Sequence, residues 1–177
     1  MRAALEAWTA PDEGQEQLRR SFLARLDEGP DALRREGRPS HLTASAVVLD
    51  PGLTRVLLVL HARTGLWLQP GGHVEDADAC LAAAALREAV EETGIADLRL
   101  LDPAPVHLER HAAPCGAEHH LDVRFALQAP DPAVPSASAE SLDAAWFPLE
   151  QLPAQPGVEL RALVAAAVCA VETAAGC

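Results

Sequence analysis

A chain of 177 residues with a formal net charge of −12 is long enough to bury one substantial core. It is too acidic for nonspecific nucleic-acid binding, which needs Lys and Arg to neutralise phosphates; here all 14 basic residues are arginine. An anionic small molecule remains an option only where cations stand between it and the carboxylates.

At the N-terminus, Glu6 stands where a signal peptide needs an apolar run. The longest apolar stretch, Leu160 to Val171, is broken by Arg161 and is too short for a bilayer. A cytoplasmic protein without membrane contact is expected. Leu18, Phe22 and Leu26 recur at i, i+4 and i+8, which predicts a helix from Glu13 to Asp27, stopped by Gly29-Pro30. Its apolar stripe needs a cover. Residues 1–40 therefore read as a helical prefix packed on a domain spanning 41–177, rather than as a separate arm.

From His41 the pattern changes. Strands are predicted at Leu42–Leu49 and Arg55–Leu60 around an Asp50-Pro51-Gly52 turn, then at Leu66–Leu68 running into a Pro70-Gly71-Gly72 turn. A helix fits Asp78–Thr93, ended by Gly94. Further strands fit Leu98–Leu101, Val106–His111, His119–Leu127 and Ala144–Pro148, and a closing helix fits Gly157–Val171. Mixed strands with a few helices point to an α+β or α/β/α sandwich.

The helix Asp78–Thr93 carries the most chemistry. At about 100° per residue, Glu88, Glu91 and Glu92 share one arc, while Ala82, Leu86, Ala89, Val90 and Thr93 fall opposite. A solvated acidic face is the ordinary reading of such a cluster. Against it, the glutamates have no Lys at i+4 and crowd the C-terminal end, where the helix dipole disfavours negative charge. A cation would neutralise them, and oxygen-only ligands suit Mg2+ or Mn2+ rather than zinc. The adjacent glycines before the helix let backbone approach a ligand closely.

Together these residues resemble the Nudix box: Gly72, Asp78 and the run Arg87-Glu88-Ala89-Val90-Glu91-Glu92-Thr93-Gly94-Ile95. The second half matches the box fully. In the first half Asp78 stands where Glu is usual, and one extra residue precedes Arg87. The resemblance spans about His41 to Leu152 and implies an α/β/α sandwich around a mixed sheet. It also implies hydrolysis of a nucleoside diphosphate linked to another group, by water activated at Mg2+ or Mn2+. By the same resemblance, Glu91 and Glu92 are metal ligands and Glu88 is a ligand or the base. The carbonyl of Gly71 adds a donor, and Arg87 orients the glutamates. Glu75 is a further supporting carboxylate, and Glu140, ahead of the last strand, is a further metal ligand. A small-molecule phosphoanhydride is the implied partner, and a homodimer stays open.

The alternative is a catalytically inactive Nudix-fold module that binds a nucleotide or effector. Retention of all three box glutamates argues against it. The chain has no tyrosine of the kind associated with dinucleoside polyphosphate hydrolases, no SQPWPFPxS array and no coenzyme A signature; Pro114 lies too far downstream for the ADP-ribose pattern. The substrate is thus left unnamed.

The four cysteines, Cys80, Cys115, Cys169 and Cys177, form no CxxC pair, which favours buried or incidental thiols over a zinc site or disulfides. His107, His111, His119 and His120 nevertheless crowd around Cys115. Their irregular spacing, with His119 and His120 on opposite strand faces, favours an ordinary surface over substrate contact or a metal site.

Overall fold

The computed structural model describes residues 1–139, 141–154 and 160–175. Helices α1 (Arg2–Ala7) and α2 (Glu13–Asp27) lead into strands β1 (Ser40–Leu49), β2 (Arg55–His61), β3 (Trp67–Leu68) and β4 (Gly71–His73). Helix α3 (Leu81–Thr93) is followed by β5 (Arg99–Leu100), β6 (His107–Ala112), β7 (His119–Gln128), β8 (Ser141–Pro148) and α4 (Leu160–Ala175). The start predicted for the closing helix, Gly157, lies outside the described residues.

Helix α2 begins where its own sequence sets it. The Asp12 side chain accepts the Gln15 N–H at 2.8 Å, satisfying one of the unpaired donors of the first turn. Phe22 at the centre of its stripe is fully buried. A polar clamp adds direction: Gln15 Oε1 accepts the Leu108 N–H at 2.8 Å while Nε2 donates to the Leu108 carbonyl at 3.1 Å. Arg25, also buried, donates to the carbonyls of Ser40 and Arg38.

The sheet is mixed. β1 and β7 pair in parallel along ten residues, from Ser40↔His119 to Leu49↔Gln128, and the other pairings are antiparallel. Strand alternation gives β1 two faces. Leu42, Ala44, Ala46 and Val48 join Leu5, Phe22 and the apolar side of α3 in one core. Val47 and Leu49 join Leu160, Leu163 and Val164 of α4 in a second core on the other face. With helices on both faces, this is the sandwich expected from the sequence.

The second face changes character along β1. Beyond Val47, the same side carries Ser45, Thr43 and His41, all buried. The register sets Asp122 of β7 beside Thr43, and Arg124 beside Ser45. That polar end of the face is where the cleft opens.

The Pro70-Gly71-Gly72 segment is not a turn. Gly71, Gly72 and His73 pair with Ser45, Ala44 and Thr43, and the Pro70 carbonyl accepts the Ala46 N–H at 2.9 Å. The absence of side chains lets this strand lie hard against β1: a Cβ on Gly71 would come within 2.3 Å of the Ser45 Cβ.

Candidate active site

Helix α3 starts three residues later than its periodicity predicts. Asp78 closes a turn ahead of it, accepting the Glu75 N–H at 2.8 Å while its own N–H donates to the Glu75 carbonyl. The C-terminus falls where expected. Gly94 takes φ 69°, the left-handed region that glycine enters without strain, and its N–H donates to the Val90 carbonyl.

The face expected to be carboxylate-only is divided. Glu92 is buried with Leu81, Ala85 and Ala89 on the side packed against the sheet, while Leu86 and Val90 are only partly buried. Glu88 is mostly covered and Glu91 is more than half exposed. The 100° arc is real, but its Glu92 edge turns inward because β4 offers a donor there: the Gly71 N–H reaches Glu92 Oε2 at 2.9 Å.

Arg87 organises the approach. Its guanidinium donates to both Asp78 oxygens at 3.1 and 3.0 Å, to the His73 carbonyl at 2.9 Å, to Glu88 at 3.0 Å and to Glu91 at 3.2 Å. Glu75 stands at 3.8 Å. Burial alone would raise the Asp78 pKa, but the Arg87 hydrogen bond and the Glu75 N–H hold it below the ordinary carboxylate value. The Asp78 pairing, against the cost of burial, raises the Arg87 pKa further, so the guanidinium is permanently charged. The residue in the unusual slot thus anchors the arginine that holds two of the glutamates.

The second glycine serves the glutamates directly. A Cβ on Gly72 would lie 2.6 Å from the Glu88 carboxyl carbon. Gly71, Gly72 and Glu92 line a cleft of about 560 Å3, with Thr43, Ser45 and Asp122 also on its wall. Glu140 lies outside the described residues.

Asp122, which the sequence reading passed over, is fully buried beside this cleft. It accepts from Thr43 Oγ1 at 3.1 Å, from Ser45 Oγ at 2.7 Å and from Arg124 Nε at 2.9 Å. Burial works to raise its pKa, yet Arg124, followed by His111 and the Ser45 hydroxyl, brings it below the usual range. Arg124 also pairs with Glu109. The signal was in the sequence as alternation: His41/Thr43/Ser45, His107/Glu109/His111 and His120/Asp122/Arg124 each repeat polar residues at period two.

The expected histidine cluster is regrouped. His107 turns to Gln15 and Arg124, and His119 to Arg110. His120 instead meets His41 and His73, with ring centroids 4.9 to 5.2 Å apart, and Cys115 comes within 3.3 Å of His120 Nε2. Burial, with the neighbouring imidazoles and other cationic groups, lowers the pKa of His73 to about 4 and of His120 to about 3. Both rings are therefore neutral near pH 7.

Among known proteins, the model of the NUDIX domain family matches residues 39–167. No curated protein matches the chain in sequence. Among solved structures, a Caenorhabditis elegans Ap4A hydrolase complex superposes with a TM-score of 0.62 at 20% identity, over 75% of this chain and 98% of that one. A NUDIX family hydrolase from Clostridium perfringens gives 0.59 at 23% identity, over 76% and 97%. A MutT NUDIX hydrolase from Burkholderia pseudomallei gives 0.56 at 24% identity, over 73% and 98%. At these identities the superpositions speak for the fold. The family match covers well over half of the chain and contains the Arg87–Ile95 run, so the chain belongs to the NUDIX domain family and is a pyrophosphohydrolase by class.

Proposed function

We propose that the chain cleaves a phosphoanhydride bond in a nucleoside diphosphate linked to another group, with Mg2+ or Mn2+ as its cation. Glu91, Glu92 and the Gly71 carbonyl would hold the cation, with Glu140 as a further donor and Glu88 as a ligand or the base. The observation that carries this reading is Glu92, a carboxylate 7% exposed, set on the wall of the cleft and fixed by the Gly71 N–H. A carboxylate so covered is costly to ionise unless donors or a cation face it, and the Gly71 N–H is one such donor.

The residues present fit such an ion. The donor set is oxygen only, which suits Mg2+ and Mn2+. Gly72 leaves open the space that a Cβ would take from Glu88. When bound, the cation supplies neutralisation of the diphosphate oxygens and a lowered pKa for water.

The protein's own share is positioning and proton transfer. Arg87 holds Glu88 and Glu91 at set distances, and Asp78 holds Arg87. Glu88, if it is not a ligand, takes the proton from the attacking water. The hydroxyls of Thr43 and Ser45 are engaged by Asp122, giving the cleft a fixed polar wall.

The test is turnover of (d)NTPs, nucleotide sugars and dinucleotides, Ap4A among them, with Mg2+, with Mn2+ and with EDTA. Turnover of one class should vanish on chelation. Glu92→Gln, which keeps an acceptor for Gly71, should lower kcat by at least about a hundredfold. Metal-independent ligand binding with no turnover of any compound would overturn the proposal.

A further inference from the structure

We propose that His41, His73, His120 and Cys115 form a second metal site, for zinc or a similar borderline-soft divalent ion, bordering the same cleft as Glu92 but sharing no ligand with the glutamates. One ligand atom from each lies within 4.8 Å of every other. In a tetrahedral zinc site, bond lengths of about 2.0–2.3 Å put the ligand atoms roughly 3.3–3.8 Å apart. Cys115 Sγ already stands 3.3 Å from His120 Nε2 and 3.7 Å from His41 Nε2. Closing the set requires only a small contraction.

The backbone brings the three imidazoles together. His41 and His120 are register partners across the parallel β1–β7 pair. His73 stands on β4, opposite Thr43 of β1. Cys115 comes from the loop between β6 and β7. Three ligands are therefore fixed by the sheet, and a single loop closes the fourth position.

The orientation of the rings supports the same reading. His41 Nδ1 lies 3.1 Å from the Gly37 carbonyl, which fixes the proton there and turns Nε2 toward Cys115. Metal-ligating histidines characteristically donate their second ring nitrogen to such an acceptor. His73 Nε2 is buried with no hydrogen-bond partner among the described residues, a cost that a coordinate bond removes.

Three imidazoles and a thiolate select zinc-like ions over Mg2+. Four protein ligands make a closed site, so its role is structural rather than hydrolytic. Binding releases the Cys115 thiol proton to solvent and forms a Zn–S bond. The ion would pin the Cys115 loop, which forms part of the cleft wall, to the sheet. It would also fix His73, whose carbonyl receives Arg87.

The test uses the full-length protein without a histidine tag, in excess Mg2+. Zinc is titrated by competition with a chromogenic chelator, and Co2+ is then substituted for it. One ion per chain is expected, with the intense visible bands of tetrahedral cobalt and a near-ultraviolet thiolate band. Cys115→Ser should remove the thiolate band and weaken zinc at least about a hundredfold, since even supporting partners cost 10- to 100-fold. His120→Ala should weaken zinc similarly, and Glu92→Gln should leave zinc affinity and the cobalt spectrum unchanged. Zinc should also protect Cys115 from alkylation in the wild type, a readout that needs no variant to fold. The proposal is overturned if the wild type binds zinc no better than Cys115→Ser, or if cobalt gives no thiolate band. It is equally overturned if Glu92→Gln abolishes zinc binding, or if zinc leaves Cys115 alkylation unchanged. Because every readout is binding rather than turnover, failure here leaves the hydrolase reading intact.

Discussion

Gly71 and Gly72 are neighbours on one short strand, yet a methyl group on each would meet a different obstacle. On Gly71 it would strike the Cα and Cβ of Ser45 and the carbonyl of Ala44, all within 2.8 Å. Backbone in the middle of a sheet cannot yield, so Gly71→Ala should destabilise the protein by about 1–3 kcal/mol, the usual cost of overpacking. On Gly72 the three atoms nearest the methyl all belong to the Glu88 carboxylate, the far end of a flexible side chain. Glu88 can swing aside, so Gly72→Ala should cost less than about 1 kcal/mol in stability while lowering kcat at least about tenfold through lost positioning. Urea unfolding and steady-state kinetics on the two variants separate these effects. Equal losses of stability would contradict the geometry. The same two glycines show where reading the sequence stops. The box marked both glycines for close approach, but Pro-Gly-Gly is locally a turn signal, and only pairing with β1 draws the segment out as a strand.

Elements whose ends are set by near neighbours were legible, and those set from a distance were not. Helix α2 matches its prediction because Asp12 and Gly29-Pro30 act within a few residues of its ends. The start of α3 was misjudged because Asp78 is drawn off by Arg87, nine residues away. The histidine group was invisible because His41 and His120 meet only through long-range strand register. Whether residues 1–40 are an integral prefix is a matter of energy. Phe22 is fully buried among sheet residues, so Phe22→Ala should cost about 3–5 kcal/mol in a single cooperative unfolding transition. A separate arm would leave the transition unmoved. The β1–β2 turn offers a second measurement. Asp50 accepts the N–H groups of Thr54 and Arg55, both at 2.7 Å. Burial opposes its ionisation, but these bonds hold its native pKa below the ordinary carboxylate value. A pKa lower in the folded state means that the unfolded chain binds the proton first. Its stabilisation is therefore complete above the unfolded value and is lost as pH falls through the native one. Asp50→Asn should cost about 1–2 kcal/mol at pH 7, and the gap to wild type should close as pH falls through and below the ordinary carboxylate range. Denaturant midpoints measured across that range check it.

At the scale of the whole molecule, one sheet serves an apolar core on each face, and changing the residues along one of those faces of β1 adds a polar cleft. That strand also sets the order of events when the chain is made. Every residue of β1 pairs in parallel with one 79 positions later, as Ser40 does with His119 and Leu49 with Gln128. Until β7 leaves the ribosome, β1 has no partner on that side, although nine of its ten residues are buried in the finished protein. Such distant closure slows folding, and the waiting apolar edge invites pairing with other chains. Nascent chains ending before residue 119 should therefore engage chaperones or aggregate, and release from them should follow synthesis of β7 rather than of the earlier strands.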